Sequence, residues 1–141
     1  MTGPDVSDVM SEEVFGICKE ATVKEAASEM KKKDVRGLVV VEDGEVIGIV
    51  AGKDILYKVV SKGLDTSETK VEDVMTKDVV VCFDTDTVYE VAVKMIKHDI
   101  SRVPIVSTGG DVVGIITQTD LLHTWPGYVD LLEERATDRL G

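Results

Sequence analysis

Two aspartates are the residues of this sequence whose surroundings point most clearly to chemistry. Asp54 ends the segment GIVAGKD and Asp120 ends the segment GIITQTD, so each follows a glycine-led apolar run at the same spacing. An ionised carboxylate accepts hydrogen bonds on two oxygens and can hold two donors at once. Thr117 and Asp120 also have the TxxD spacing of a helix capping box. The residues alone therefore leave open whether these aspartates bind a ligand or cap a helix.

The sequence offers little support for catalysis or metal binding. His98 and His123 have no carboxylate or cysteine at a metal-binding spacing, and Cys18 and Cys82 do not form a CxxC pair. There is no GxSxG, Walker or HExxH motif. We therefore expect no enzyme activity, no metal site and no required cofactor, and we expect both cysteines to be buried, reduced thiols of a cytoplasmic protein.

Both aspartates belong to an internal repeat. A shift of 65 aligns VSDVM (6–10) with VEDVM (71–75) and TVKEAASEM (22–30) with TVYEVAVKM (87–95); a shift of 66 then aligns GIVAGKDIL with GIITQTDLL. Self-similarity at a fixed period indicates a duplicated structural unit. The predicted repeats are 6–63 and 71–124, and the predicted tail, 125–141, is helical. The repeat also places Asp54 and Asp120 in equivalent sites and not in one acid–base site.

Each copy predicts the element order β-α-β-β-α. TxxE capping boxes at Thr22 and Thr87 precede apolar helical stripes. Strands are predicted at 14–18, 38–41 and 46–50 and at 79–83, 103–106 and 112–117, with further helices from Asp54 and Asp120. The stripes are Val23, Ala26, Ala27 and Met30, and Val88, Val91, Ala92 and Met95. These units predict an α/β fold with two repeats packed sheet to sheet about a pseudo-twofold axis, and clefts along that axis are natural ligand sites.

Charge and hydropathy exclude several classes of partner. The net charge is −11 over 141 residues, which argues against broad binding to nucleic acid or anionic membranes. The apolar runs are far shorter than the roughly 20 residues of a membrane helix, and the N-terminus lacks a signal-peptide pattern. We expect no nucleic-acid partner, no membrane association and a cytoplasmic location.

The tail contains a Pro126-Gly127 break before a predicted amphipathic helix. The apolar positions of that helix are Val129, Leu132, Ala136 and Leu140. We expect the tail to pack on its own module or on a second subunit. Trp125 and Tyr128 also make it the strongest candidate for an element that faces a partner.

Taken in order, the duplicated segments resemble the cystathionine β-synthase (CBS) domain family. They are VxDVM, TVxEAxxxM and RGLVVVxDGxVIGIVxxKDIL, with second copies ending in SRVPIV and GIITQTDLL. A tandem pair is similar to the Bateman module, and the resemblance implies a regulatory module that binds AMP, ADP, ATP or S-adenosylmethionine in clefts between the repeats. It also implies a homodimer and a regulated protein partner. The alternative is a ligand-independent interaction or oligomerisation scaffold with vestigial clefts.

The resemblance assigns a ribose-binding role to the two aspartates. The family's motif of Ser or Thr, two residues and then Asp falls on Thr117 and Asp120, and the carboxylate would accept from both ribose hydroxyls. Asp54 is the counterpart in the first repeat, where Ala51 replaces the hydroxyl residue. An aspartate kept without its capping partner favours the ribose role. The two sites should therefore be unequal, with Asp120 the stronger candidate.

The resemblance also implies where phosphates and adenine would bind. The phosphate candidates are Thr119, Lys53, Arg102 and Arg36, each of which also fits an ordinary surface position. The adenine pocket facing Asp120 is predicted from Val14, Phe15, Gly16, Ile17 and Val35. The pocket facing Asp54 is predicted from Val79, Val80, Val81, Cys82, Ile100, Ser101 and Pro104. In both pockets main-chain groups would recognise the adenine edge.

Overall fold

A computed structural model describes the backbone of residues 4–140 and the side chains of residues 4–134. Within this range the chain divides into two compact units. The first unit is Val14–Val79, and the second unit comprises residues of Met1–Glu13 and Val80–Gly141. Each unit has its own apolar core.

Both units share the order β-α-β-β-α. In chain order the elements are α1 (Val6–Val9), β1 (Gly16–Ile17), α2 (Val23–Lys33), β2 (Gly37–Glu42), β3 (Glu45–Ala51), α3 (Gly52–Ile55), a π-helical turn (Leu56–Val60), α4 (Val71–Val74), β4 (Cys82–Phe83), α5 (Val88–His98), β5 (Arg102–Val106), β6 (Val112–Thr117), α6 (Gln118–Thr124) and α7 (Gly127–Leu140). The sheets have the orders β1-β2-β3 and β4-β5-β6. In each sheet the central strand is parallel to the first strand and antiparallel to the last. The predicted α/β fold class of β-α-β-β-α repeats is confirmed.

The long helix of each unit begins at the predicted capping box. The Thr22 hydroxyl accepts from the Glu25 amide at 3.1 Å, and the Thr22 amide donates to Glu25 Oε1 at 3.1 Å. The Thr87 and Glu90 pair repeats this arrangement at 3.2 and 3.4 Å. These bonds satisfy amide groups that have no partner within the helix.

The first strand of each sheet is shorter than predicted. Only two residues of β1 pair with β2, and only two of β4 pair with β5. In the first unit the Val39 amide also donates to the Phe15 carbonyl at 3.1 Å. Pro104 occupies the position of Val39 in the second unit and has no amide hydrogen, so it cannot make the matching bond to Val80.

The VxDVM segments form one-turn helices that the sequence did not predict. Val6 of α1 is buried in the core that contains the second repeat, and Val71 and Val74 of α4 are buried in the core that contains the first. The methionine ending each segment lies against a strand glycine. A Cβ on Gly48 would lie 2.5 Å from Met75 Sδ, and one on Gly114 would lie 2.5 Å from Met10 Sδ. Any side chain at either glycine would therefore displace a methionine.

The residues around α7 belong to the core of the second unit. Trp125 and Tyr128 are buried in that core, and the Trp125 ring meets Tyr89 edge to face with centroids 6.2 Å apart. Their expected role as a surface for a partner is therefore wrong, because their own unit buries both rings. The predicted apolar positions Ala136 and Leu140 lie outside the residues whose side chains are described. No helix in the described part of the chain has the length and apolarity to cross a membrane.

Candidate functional site

Asp120 lies at the junction of β6 and α6, where it both caps the helix and keeps one carboxylate oxygen available. The Thr117 amide donates to Asp120 Oδ2 at 2.9 Å, and the Asp120 amide donates to the Thr117 hydroxyl at 3.2 Å. Asp120 is half-buried. Among residues 4–134, the hydrogen bonds of Asp120 involve its amide, its carbonyl and Oδ2, and none reaches Oδ1. Helix capping and ligand acceptance are therefore compatible, because the cap uses one oxygen and fixes the direction of the other.

Asp54 occupies the equivalent junction of β3 and α3 but is bonded on both carboxylate oxygens. The Ala51 amide donates to Oδ2 at 2.8 Å, which keeps the backbone half of the cap. The Lys58 ammonium lies 3.0 Å from Oδ1, and the Thr76 hydroxyl donates to the same oxygen at 3.3 Å. Asp54 is only 6% exposed. A buried carboxylate requires this kind of pairing.

Lys58 reaches Asp54 because the two residues are four positions apart on one helical face. The helix widens into the π-helical turn at this point, and the Ser61 amide donates to the Leu56 carbonyl at 3.0 Å. The Lys58 ammonium also donates to the Val74 carbonyl at 2.8 Å. The i,i+4 spacing of Asp54 and Lys58 was the sequence signal for this contact, whereas nothing in the local sequence pointed to Thr76.

In the second unit the residues aligned with Lys58 and Thr76 do not bond to the Asp120 carboxylate. Thr124 aligns with Lys58, and its hydroxyl donates to the Asp120 backbone carbonyl at 2.6 Å. Ser11 aligns with Thr76, and its hydroxyl bonds within its own segment to the amide of Glu13 at 3.3 Å. The two aspartates are thus chemically unequal, with the difference made by side chains outside the motif.

The phosphate candidates lie around the two strand–helix junctions. Lys53 and Thr119 are exposed at equivalent positions, in α3 and α6, and Arg36 is exposed. Arg102 is half-buried at the start of β5. The Gly52 amide donates to the Arg36 carbonyl at 3.1 Å, which ties Arg36 to the start of α3 and therefore to the neighbourhood of Lys53.

The adenine candidates are divided between the units. Those predicted for Asp120 belong to the first unit, where Gly16 is exposed and the others are half-buried: Val14, Phe15, Ile17 and Val35. Those predicted for Asp54 belong to the second unit, where Cys82 and Pro104 are buried and the others are half-buried: Val79, Val80, Val81, Ile100 and Ser101. Lys94 Nζ donates to the Val81 carbonyl at 3.1 Å and holds this segment just before β4 begins.

Cys18 and Cys82 should differ in reactivity towards thiol reagents. The expected burial is confirmed for Cys82 and wrong for Cys18, which is exposed just after β1 ends. Burial raises the pKa of the Cys82 thiol to about 11, so this group stays protonated at neutral pH. Because the thiolate is the nucleophile, we expect one fast-reacting thiol per native chain at pH 8, with the second appearing on unfolding. Mass spectrometry after brief alkylation identifies the labelled residue. Equal labelling of both cysteines in the native protein would contradict the burial of Cys82.

The comparisons with known proteins identify the class and the family. The chain is a tandem pair of CBS domains: the CBS domain model matches residues 6–61 and 71–127. The protein therefore belongs to the CBS domain family, which confirms the resemblance seen in the repeated segments.

The sequence relatives differ greatly in length. The chain is 32% identical to an uncharacterized protein of Methanopyrus kandleri over 95% of this chain and 69% of that protein. It is 34% identical to homoserine O-acetyltransferase of Methanosphaera stadtmanae over 85% of this chain but only 24% of the enzyme. The chain thus spans about a quarter of that enzyme's length.

Solved structures share the fold. The CBS domain pair of protein MJ0100, solved in complex with 5′-methylthioadenosine and S-adenosyl-L-methionine, is 29% identical, with a TM-score of 0.80 over 89% of this chain and 98% of that chain. A hexameric CBS-CP12 protein from bloom-forming cyanobacteria is 33% identical, with a TM-score of 0.78 over 85% of this chain and 67% of that chain.

Proposed function

We propose that this chain is a regulatory ligand-sensing module that binds an adenosine-containing ligand, with the ribose hydroxyls held by Asp120. The observation that carries the proposal is the half-buried Asp120 carboxylate, whose Oδ1 accepts no hydrogen bond within the described chain. Thr117 keeps the carboxylate in place before any ligand arrives. A fixed acceptor binds more tightly than one that must be ordered during binding.

The MJ0100 complex supports an adenosine ligand, since both of its bound molecules contain adenosine. AMP, ADP and ATP share the ribose and adenine and differ beyond the 5′ carbon. For the ligand at Asp120 the proposed phosphate contacts are Thr119 and Arg36, whereas Lys53 and Arg102 are those predicted for Asp54. The adenine contacts stay those that the family resemblance predicts, Val14 to Ile17 and Val35.

A ligand panel tests this function. We expect at least one of AMP, ADP, ATP, S-adenosylmethionine and 5′-methylthioadenosine to give saturable heat in titration calorimetry and to raise the thermal midpoint. No heat and no shift from any of the five at millimolar concentration would contradict it. That result would favour the ligand-independent scaffold, which the bonding of both Asp54 oxygens already favours for the first repeat.

We also propose that a second copy of the chain covers an exposed apolar face on and beside the π-helical turn. The face consists of Leu56, Tyr57, Val60 and Leu64, which are 52%, 61%, 58% and 47% exposed. Clustered apolar exposure of this kind marks association surfaces. The hexameric CBS-CP12 protein shows that a related chain assembles.

Charge placed on this apolar face should prevent self-association. We expect Tyr57→Glu with Val60→Glu to shift the molar mass from a multiple of 15.3 kDa to that of one chain, because burying either carboxylate would cost several kcal/mol. Light scattering after gel filtration measures the mass. Lys62→Glu, at an exposed position nearby, is the matched control. A wild-type protein that is already monomeric at micromolar concentration would contradict the proposal.

The regulated partner is proposed to be an enzyme. The alignment with part of homoserine O-acetyltransferase of Methanosphaera stadtmanae supports this idea, because a CBS-like segment there belongs to the same chain as the named activity. In this proposal the module itself breaks no bond and changes its partner's activity when the adenosine ligand binds.

A further inference from the structure

We infer that Lys58 closes the first repeat's carboxylate site, so that the chain binds one adenosine ligand at Asp120 and none at Asp54. The ammonium occupies Asp54 Oδ1, the counterpart of the oxygen that Asp120 leaves available. The part of this inference that concerns ligand number rests on the proposed function. The closure of Asp54 is a property of the protein alone and can be tested without a ligand.

The Asp54 carboxylate already has several hydrogen-bond donors from the protein. Three protein donors already converge on its two oxygens: the Ala51 amide at 2.8 Å, the Lys58 ammonium at 3.0 Å and the Thr76 hydroxyl at 3.3 Å. A ribose would bring two more hydroxyl donors to a carboxylate that is 6% exposed. It would have to displace the ammonium and replace a charged partner with neutral ones, which is unfavourable for a buried charge.

Lys58 is also held in place by a second contact. Its ammonium donates to the Val74 carbonyl at 2.8 Å while it pairs with Asp54. A competing ligand must therefore break two hydrogen bonds to move one side chain. The contact with α4 also makes the pair part of the packing of the first unit.

The aligned residues explain why only one repeat is closed. Thr124 replaces Lys58 in the second repeat, and it is too short and uncharged to neutralise Asp120; its hydroxyl bonds to backbone instead. Both repeats keep the aspartate and its bond from the amide three residues earlier. Position 58, aligned with 124, therefore decides whether the carboxylate accepts an external diol.

A reciprocal exchange of these residues tests the inference by calorimetric stoichiometry. We expect wild type to bind one ligand per chain, Lys58→Thr to gain a second site, and Thr124→Lys to lose at least about tenfold in affinity. Lys58→Met, which keeps the aliphatic stem, should also gain the site. Lys62→Thr and Thr85→Lys, at exposed positions, make the same charge changes and should behave as wild type.

Two results would overturn the inference. One is a wild-type protein that binds two ligands per chain; the other is an exchange in which neither Lys58→Thr nor Thr124→Lys alters binding. If wild type and every variant bind none of the ligand panel, the proposed function fails. The pairing of Lys58 with Asp54 is then tested by the thermal midpoints of variants without ligand. For Lys58→Thr, Asp54→Asn and their double variant we expect clearly non-additive losses. Additive losses would overturn the closure.

Discussion

Replacing Asp120 by Asn should weaken binding of the adenosine ligand about 100-fold. Each hydrogen bond from a hydroxyl to a charged acceptor contributes about 1.5 to 3 kcal/mol, and two bonds to one ribose correspond to at least about two decades of affinity. The asparagine oxygen can still accept from the Thr117 amide, so the helix cap survives. Titration calorimetry on both proteins measures the difference.

The control for this substitution must remove the same charge elsewhere in the unit. Asp111 is exposed in the turn between β5 and β6, and Asp111→Asn should bind as wild type does. A thermal midpoint of Asp120→Asn close to wild type would show that the fold is intact. Affinity within about threefold of wild type would remove Asp120 from the site.

Replacing Tyr128 by Ala should lower the free energy of unfolding by about 3 to 5 kcal/mol, the usual loss for a buried aromatic side chain. Tyr128 is 1% exposed and lies in the same core as Trp125 and Leu121. Trp125 is the single tryptophan of the chain, so its fluorescence reports urea unfolding of this unit directly.

Val129 provides the comparison for Tyr128, since it is the next residue on α7 and is 42% exposed. Val129→Ala should change the free energy of unfolding by no more than about 0.5 kcal/mol. If Tyr128→Ala were as mild as Val129→Ala, α7 would be an appendage and not part of the core.

Local sequence signals predicted the repeated framework well. The capping boxes at Thr22 and Thr87 depend on residues three positions apart, and the hairpins depend on short turns, so both are determined by nearby residues. The apolar stripes of α2 and α5 were predicted to be buried. This prediction is confirmed for Ala92 in α5 and wrong for Ala27 in α2, which is exposed. The reason is tertiary: α7 packs against α5 in the second unit, and the described chain has no second copy of α7.

Features that depend on distant parts of the chain were not predictable in this way. The VxDVM segments were identified as part of the repeat. Their helical turn and burial, however, come from packing against cores formed by distant residues. The first strand of each sheet also depends on its distant partner strand: β1 and β4 both pair over two residues, although Val39 has an amide hydrogen and Pro104 has none. The sequence pointed to Asp54 and Asp120 as unequal because of Ala51. A larger difference comes from Lys58, whose i,i+4 spacing from Asp54 was a local signal, and from Thr76, which is distant along the chain.

Ribose binding by Asp120 is tested by comparing a bound adenosine ligand with its 2′-deoxy analogue on wild type and Asp120→Asn. If the carboxylate holds the ribose diol, removing the 2′-hydroxyl should weaken wild-type binding by about tenfold or more and should have little further effect on Asp120→Asn. An equal loss in both proteins would mean that the ribose is recognised by groups other than Asp120.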